Sequence, residues 1–228
     1  MRNIKIISIM SLRIILFIFI GLSLMFITNS SLHDLNQWWS IIISLANVIT
    51  IIVLFLLAHR ENITYTKLIN WNKNTINFKY ILLMVFTILV IGMIGMFSAG
   101  YIVYFEFPYL AEIMIKPLPF WLAVINAFIL PLTTTMAEDG LYLGYSINRI
   151  KTKWIAILLP AFFYALQHSF IPLLFDYKYI VYRFLSFLPL TLLFCYWYYK
   201  KRDPIPIMIG HFFLNTATVM QIILSSTK

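Results

Sequence analysis

Hydrophobic residues run along this chain in blocks of about twenty, the length that crosses a bilayer as a helix, and short polar stretches separate the blocks. None of the blocks alternates with period two, so the pattern predicts helices rather than barrel strands. Seven spans are predicted: Met10–Thr28, Trp38–Ala58, Tyr80–Phe105, Phe120–Asn148, Trp154–Phe175, Tyr179–Tyr199 and Pro204–Leu224. Trp38, Trp39, Trp154 and Trp197 fall at span ends, where interfacial aromatics belong. Arg13, near the start of the first span, and Arg183, near the start of the sixth, are placed to snorkel to an interface.

Composition explains why the spans need lipid. Of 228 residues, 62% are hydrophobic, 18% aromatic and only 11% charged, whereas a soluble domain carries about 25% charged residues. With the bilayer as solvent, each span must satisfy its own backbone hydrogen bonds. The predicted fold class is therefore all-α, a polytopic transmembrane helical bundle forming a single membrane domain over residues 1–228. Its only sizeable loop, His59–Lys79, is too short for a second domain. The N-terminal apolar stretch is longer than a signal-peptide core and lacks a small-residue cleavage site, so it reads as the first span. A lone cysteine, Cys195, excludes an internal disulfide.

The net charge of +9 resides in the loops, and every second loop is basic. Arg2 and Lys5 precede the first span; Arg60, Lys67, Lys73 and Lys79 follow the second; Arg149, Lys151 and Lys153 follow the fourth; Lys200, Lys201 and Arg202 follow the sixth. The intervening loops hold Asp34, then Glu106, Glu112 and Lys116, then Asp176 and Lys178. The positive-inside rule then places the N-terminus in the cytoplasm and the C-terminus outside, in a multi-pass cell-membrane protein. Charge distributed this way points to a lipid bilayer and not to nucleic acid.

Ionisable groups inside spans are costly, about 2.5–3.5 kcal/mol each on insertion scales, and so are functional candidates. Three clusters stand out: Glu138-Asp139 in the fourth span, Tyr164 and His168 in the fifth, His211 and Asn215 in the seventh. Counting roughly 1.5 Å per residue from the basic ends places Glu138 about 16 Å deep, His168 about 21 Å, His211 about 10 Å and Asn215 about 16 Å. The three helices can thus present these groups to one cavity. In an α-helix Glu138 and Asp139 would diverge by about 100°, so only one is expected to face it. Glu138, Tyr142 and Tyr145 fall on one stripe.

Such a set suits hydrolysis. A buried carboxylate can serve as general base on water, and imidazole and carboxamide N–H groups can stabilise an oxyanion. Amide hydrolysis by these groups requires no cofactor. A divalent metal could also bind them, although the HExxH spacing of metalloproteases is absent. On a structural reading, Glu138 would instead bond to Thr133, Thr134, Thr135 or a tyrosine, and the histidines would join helices.

The three clusters, in this order, resemble the CPBP family of CAAX proteases and bacteriocin-processing proteins, which includes the type II CAAX prenyl endopeptidases. The family pattern is EExxxR, FxxxH and HxxxN. Glu138-Asp139 matches EE with one conservative change, Tyr164…His168 matches FxxxH with Tyr for Phe, and His211…Asn215 matches HxxxN. Gly144-Tyr145 is also family-like. The resemblance covers residues 120–224 as a CPBP-like core, while residues 1–119 hold spans without a motif.

The resemblance implies an intramembrane endopeptidase acting on a peptide or membrane-protein substrate. Glu138 would be the general base, assisted by His168, with His211 and Asn215 as the oxyanion hole and Asp139, Tyr164 and Tyr142 in support. Leu143 stands where the pattern has arginine, a departure that favours a second reading: a non-catalytic bacteriocin-immunity or regulatory protein on the same scaffold. A third reading, a transporter with Glu138 as proton relay, lacks the expected pair of broken helices.

Overall fold

The computed structural model describes residues 2–71, 77–109 and 111–227. Lys73 lies outside them, and the side chains of Arg2 and Asn3 are likewise not described. The long helices are α1 (Arg2–Thr28), α3 (Trp39–Arg60), α5 (Phe78–Tyr104), α6 (Phe120–Thr134), α7 (Lys153–His168), α8 (Tyr177–Lys201) and α9 (Ile205–Ser226). The short helices α2 (Leu32–Leu35) and α4 (Tyr65–Leu68) precede α3 and α5. A π-helix, Thr135–Ile147, continues α6 directly. The fold is thus an all-α bundle.

Among the described residues, six helical stretches are long and apolar enough to cross a bilayer: Ile4–Thr28, Leu32–Arg60, Phe78–Tyr104, Phe120–Ile147, Tyr177–Lys201 and Ile205–Ser226. The predicted span Trp154–Phe175 is shortened. Its helix, α7, has 16 residues, about 24 Å at 1.5 Å per residue, against a hydrocarbon core of about 30 Å. Pro172 accounts for this, since it donates no helical bond and disfavours helical backbone at the residue before it. The first span is longer than predicted, because the basic N-terminal residues belong to α1.

Successive long helices, α7 included, join opposite ends of the bundle. At one end Arg149 pairs with Glu61, while Asn148 Oδ1 accepts from Asn70 Nδ2 at 3.1 Å and from Arg202 Nη1 at 2.6 Å. The basic loops therefore share this end. At the other, Trp39 Nε1 donates to Met114 O at 3.2 Å, Leu118 N to Ser226 Oγ at 2.9 Å, and the Tyr179 hydroxyl to Ile171 O at 3.2 Å.

The interior holds two large apolar clusters. Ile6, Met10, Leu54, Leu141, Tyr142, Tyr164, Phe194 and Ile207 belong to the one nearer the basic end. Phe17, Ala46, Leu130, Met114, Leu118 and Val219 belong to the other. Between them lies a polar layer that the helices cross in register. Arg13 stands between Met10 and Phe17 on α1, Asn47 between Ala46 and Leu54 on α3, and His211 and Asn215 between Ile207 and Val219 on α9.

The π-helix carries the acidic pair into this layer. Pro131 interrupts the α-helical ladder one turn before it begins. The Ser146 hydroxyl then donates to Leu141 O, five residues back, at 2.8 Å. Wide turns of this kind are rare and gather at functional sites. Here the turn is clamped from outside, as the Tyr65 hydroxyl donates to Met136 O at 2.7 Å. A Cβ at Gly140 would come within 2.6 Å of that hydroxyl, so glycine permits the approach.

Candidate active site

Glu138 is 1% exposed and its two carboxylate oxygens have different surroundings. Oε1 accepts from Arg13 Nη2 at 2.7 Å. Oε2 is buried, makes no hydrogen bond within the protein, and faces His168 Nε2 at 3.7 Å and His211 Nε2 at 3.8 Å. These distances exceed a direct hydrogen bond. One carboxylate oxygen is fixed, and the other converges with two imidazoles.

Arg13 overturns the expectation of snorkelling. It lies mid-helix in α1, 1% exposed, and its guanidinium donates in three directions. Besides Glu138, it reaches Gln167 Oε1 through Nε at 2.7 Å and Asn47 Oδ1 through Nη1. Asn47 Nδ2 in turn donates to Thr133 Oγ1 at 3.1 Å and Thr134 Oγ1 at 2.9 Å. Those threonines therefore serve Asn47, and Glu138 takes its counter-charge from the first helix. Removing one partner of such a buried pair typically costs about 3–5 kcal/mol.

Asp139 also faces the site, contrary to the expectation that only one of the pair would. Its Oδ1 accepts from the Tyr164 hydroxyl at 2.9 Å, and its Oδ2 lies 3.3 Å from His211 Nδ1. The two neighbouring carboxylates thus meet the two nitrogens of one imidazole. The π-helix is the reason, because more residues per turn separate adjacent side chains by less than the α-helical angle. A carboxylate on Nδ1 makes that nitrogen a donor. Nε2 is then an acceptor in the neutral ring and a donor in the imidazolium.

The second imidazole is held differently. The ring of His168 stacks on Phe187 with centroids 3.6 Å apart and planes at 11°. Gln167 Oε1 is used by Arg13 and lies 3.2 Å from the Tyr142 hydroxyl. Its Nε2 is therefore the donor facing His168 Nε2 at 3.4 Å, which leaves the His168 proton on Nδ1. Arg183 does not snorkel either. It is buried, donates through Nε to His168 O at 3.4 Å and lies 4.8 Å above the Phe187 ring.

The remaining sequence candidates divide. Tyr142 belongs to the assembly, stacked on Tyr164 at 4.5 Å between centroids. Tyr145 does not, since its ring lies under Arg149 at 4.1 Å. Asn215 sits one helical turn beyond His211 on α9 and hydrogen-bonds to none of the other three candidates, and its Nδ2 is a buried donor without a partner. Among the described residues, no group of three His, Cys, Asp or Glu side chains is arranged to hold a metal ion.

Sequence reasoning missed Arg13, Asn47, Gln167 and Arg183 as participants. Arg13 had a usable signal. The apolar run extends to Ile4, which puts the arginine near the middle of a span, out of reach of either interface.

A helical membrane bundle with buried acid, imidazole and carboxamide groups in one polar layer belongs to the class of polytopic membrane proteins with a candidate hydrolytic centre. Over residues 117–217 the chain is similar to the family described as type II CAAX prenyl endopeptidase Rce1-like. The matched segment holds Glu138, Asp139, Tyr164, His168, His211 and Asn215. No curated protein and no solved structure matches the chain.

Proposed function

We propose that this protein is an intramembrane endopeptidase whose Glu138 activates water for peptide-bond hydrolysis. The observation that carries the reading is the free Oε2 of Glu138, buried and aimed at Nε2 of both His168 and His211. In this mechanism Oε2 takes one proton from water while His168 Nε2 accepts the hydrogen bond of the other. The hydroxide attacks the scissile carbonyl carbon. The resulting oxyanion accepts from Asn215 Nδ2 and from Nε2–H of a protonated His211, which Asp139 supports through Nδ1. Collapse breaks the C–N bond, and Glu138 returns its proton to the leaving amine. The counter-charge to Glu138 is Arg13, so no metal is required.

The basic end of the bundle faces the cytoplasm in this reading, with the N-terminus inside and the C-terminus outside the cell membrane. The substrate is a peptide or membrane protein entering from the lipid, of the CAAX type that the matched family name implies.

The test uses the full chain in lipid nanodiscs with a fluorescence-quenched, prenylated CAAX peptide. Wild type should cleave, and Glu138→Ala and His211→Ala should be slower by roughly 100-fold or more, the scale of a positioned acid–base group. Equal cleavage by all three rejects the proposal. It would return the site to the non-catalytic immunity or regulatory reading, in which Glu138→Ala keeps its biological effect.

A further inference from the structure

The motif segment has a gap in its charge. Five residues after Glu138, where the family pattern has arginine, the chain has Leu143, fully buried in the apolar cluster with Leu141, Tyr145 and Ile69. No positive charge can come from that position. We infer that Arg13 fills this role from the first helix, as the positioning residue that holds Glu138 ionised and turns Oε2 toward the two imidazoles. The inference rests on the hydrolytic reading above and specifies how its base is kept ready.

Three observations converge on it. Among the described residues, Arg13 is the only permanent cation within ion-pair distance of Glu138, and the only other nitrogens within that distance belong to the two imidazoles. The Arg13–Glu138 bond uses Oε1 alone, so the guanidinium fixes the carboxylate's rotation without occupying the reactive oxygen. The guanidinium is itself immobilised, by Gln167 on one side and Asn47 on the other. Each of these carboxamides has a further anchor, Tyr142 for the first and Thr133 and Thr134 for the second. A planar fork suits three acceptors in fixed directions, which a lysine ammonium cannot match.

Helix glue alone would also bury an arginine against a glutamate, so the test reads more than stability. Wild type, Arg13→Lys and Arg13→Leu, each with and without Glu138→Gln, and Glu138→Ala are prepared as full chains in nanodiscs and assayed with the prenylated peptide. Infrared spectra, differenced against Glu138→Gln in each background, isolate the Glu138 carboxylate band.

Arg13→Leu is expected to lose roughly 100-fold in kcat with little change in KM, and its Glu138 band should leave the carboxylate region. Arg13→Lys should be intermediate in both. Arg13→Leu/Glu138→Gln, which removes both charges, should melt near wild type, showing that the bundle tolerates loss of the pair. If Arg13→Leu misfolds, the Arg13→Lys spectrum and kcat decide. Wild-type kcat with an unchanged carboxylate band in the Arg13 variants overturns the inference. Glu138→Ala with wild-type activity overturns the hydrolytic reading instead, and the infrared band then still decides whether Arg13 holds the carboxylate.

Discussion

The Tyr164 hydroxyl donates to Asp139 Oδ1 at 2.9 Å, and these two residues are both departures from the family pattern. Aspartate is one methylene shorter than the glutamate of the pattern, and tyrosine carries one hydroxyl more than its phenylalanine. The shortened acid and the lengthened ring meet, and the hydroxyl also lies 3.2 Å from His211 Nδ1. The two substitutions read as one exchange that keeps His211 supported.

A double-mutant cycle tests this coupling. Tyr164→Phe leaves Asp139 short of a buried partner, a loss of about 1.5–3 kcal/mol for a hydrogen bond to a charged group. Asp139→Glu alone crowds the hydroxyl. Each single variant should lose roughly tenfold or more in kcat, while the double variant recovers much of it, with a coupling energy of about 1 kcal/mol or more. Strictly additive losses would show that the two positions act independently.

Gly140 offers a stability test away from the reacting groups. Alanine there must displace the Tyr65 hydroxyl, 2.6 Å from the new Cβ, and meets Leu54 Cδ1 at 3.0 Å. The clamp on Met136 O would loosen. Gly140→Ala is expected to destabilise by about 1–3 kcal/mol, the usual cost of overpacking. Gly140→Ala/Tyr65→Phe should restore part of that, because the hydroxyl is gone. Thermal unfolding in one detergent checks both, and an undiminished melting temperature in Gly140→Ala would contradict the clamp.

At the basic end, the hydrogen bond from Arg149 holds the Glu61 carboxyl below its ordinary value of 4.5, against a smaller opposing effect of burial. A carboxylate whose folded pKa is depressed contributes stability above its unfolded pKa and loses it as pH falls through the folded value. Wild type should therefore melt slightly above Glu61→Gln at neutral pH, by no more than about 1 kcal/mol for a partly exposed pair. The difference should narrow as pH falls below the ordinary value of 4.5 and vanish once the folded carboxyl is protonated. A gap that persists into acid would mean that Glu61 acts through packing.

The sequence made the bundle legible because twenty-residue apolar blocks admit one solution in lipid. Its charge alternation correctly grouped the basic loops, as the Arg149–Glu61 and Arg202–Asn148 contacts demonstrate. Glu138, His168 and His211 could be nominated because ionisable groups inside spans are conspicuous. Three things were hidden. The π-helix has no compositional signature in Thr135–Ile147, so α-helical angles separated Glu138 from Asp139. Arg13 lies 125 positions from Glu138, and periodicity within a helix says nothing about which distant helix it meets. The end of α7 was hidden differently, since hydropathy passes through Pro172 as though the helix did.

The placement of Arg13 also bears on how the protein is made. Its helix leaves the ribosome before the one that bears Glu138, carrying a charge that is costly in the membrane interior, and the acid that neutralises it emerges 125 residues later. Until then the chain is an unfinished circuit, without the buried ion pair of the whole. A nascent chain of this design carries an uncompensated charge until the helix with Glu138 packs against α1.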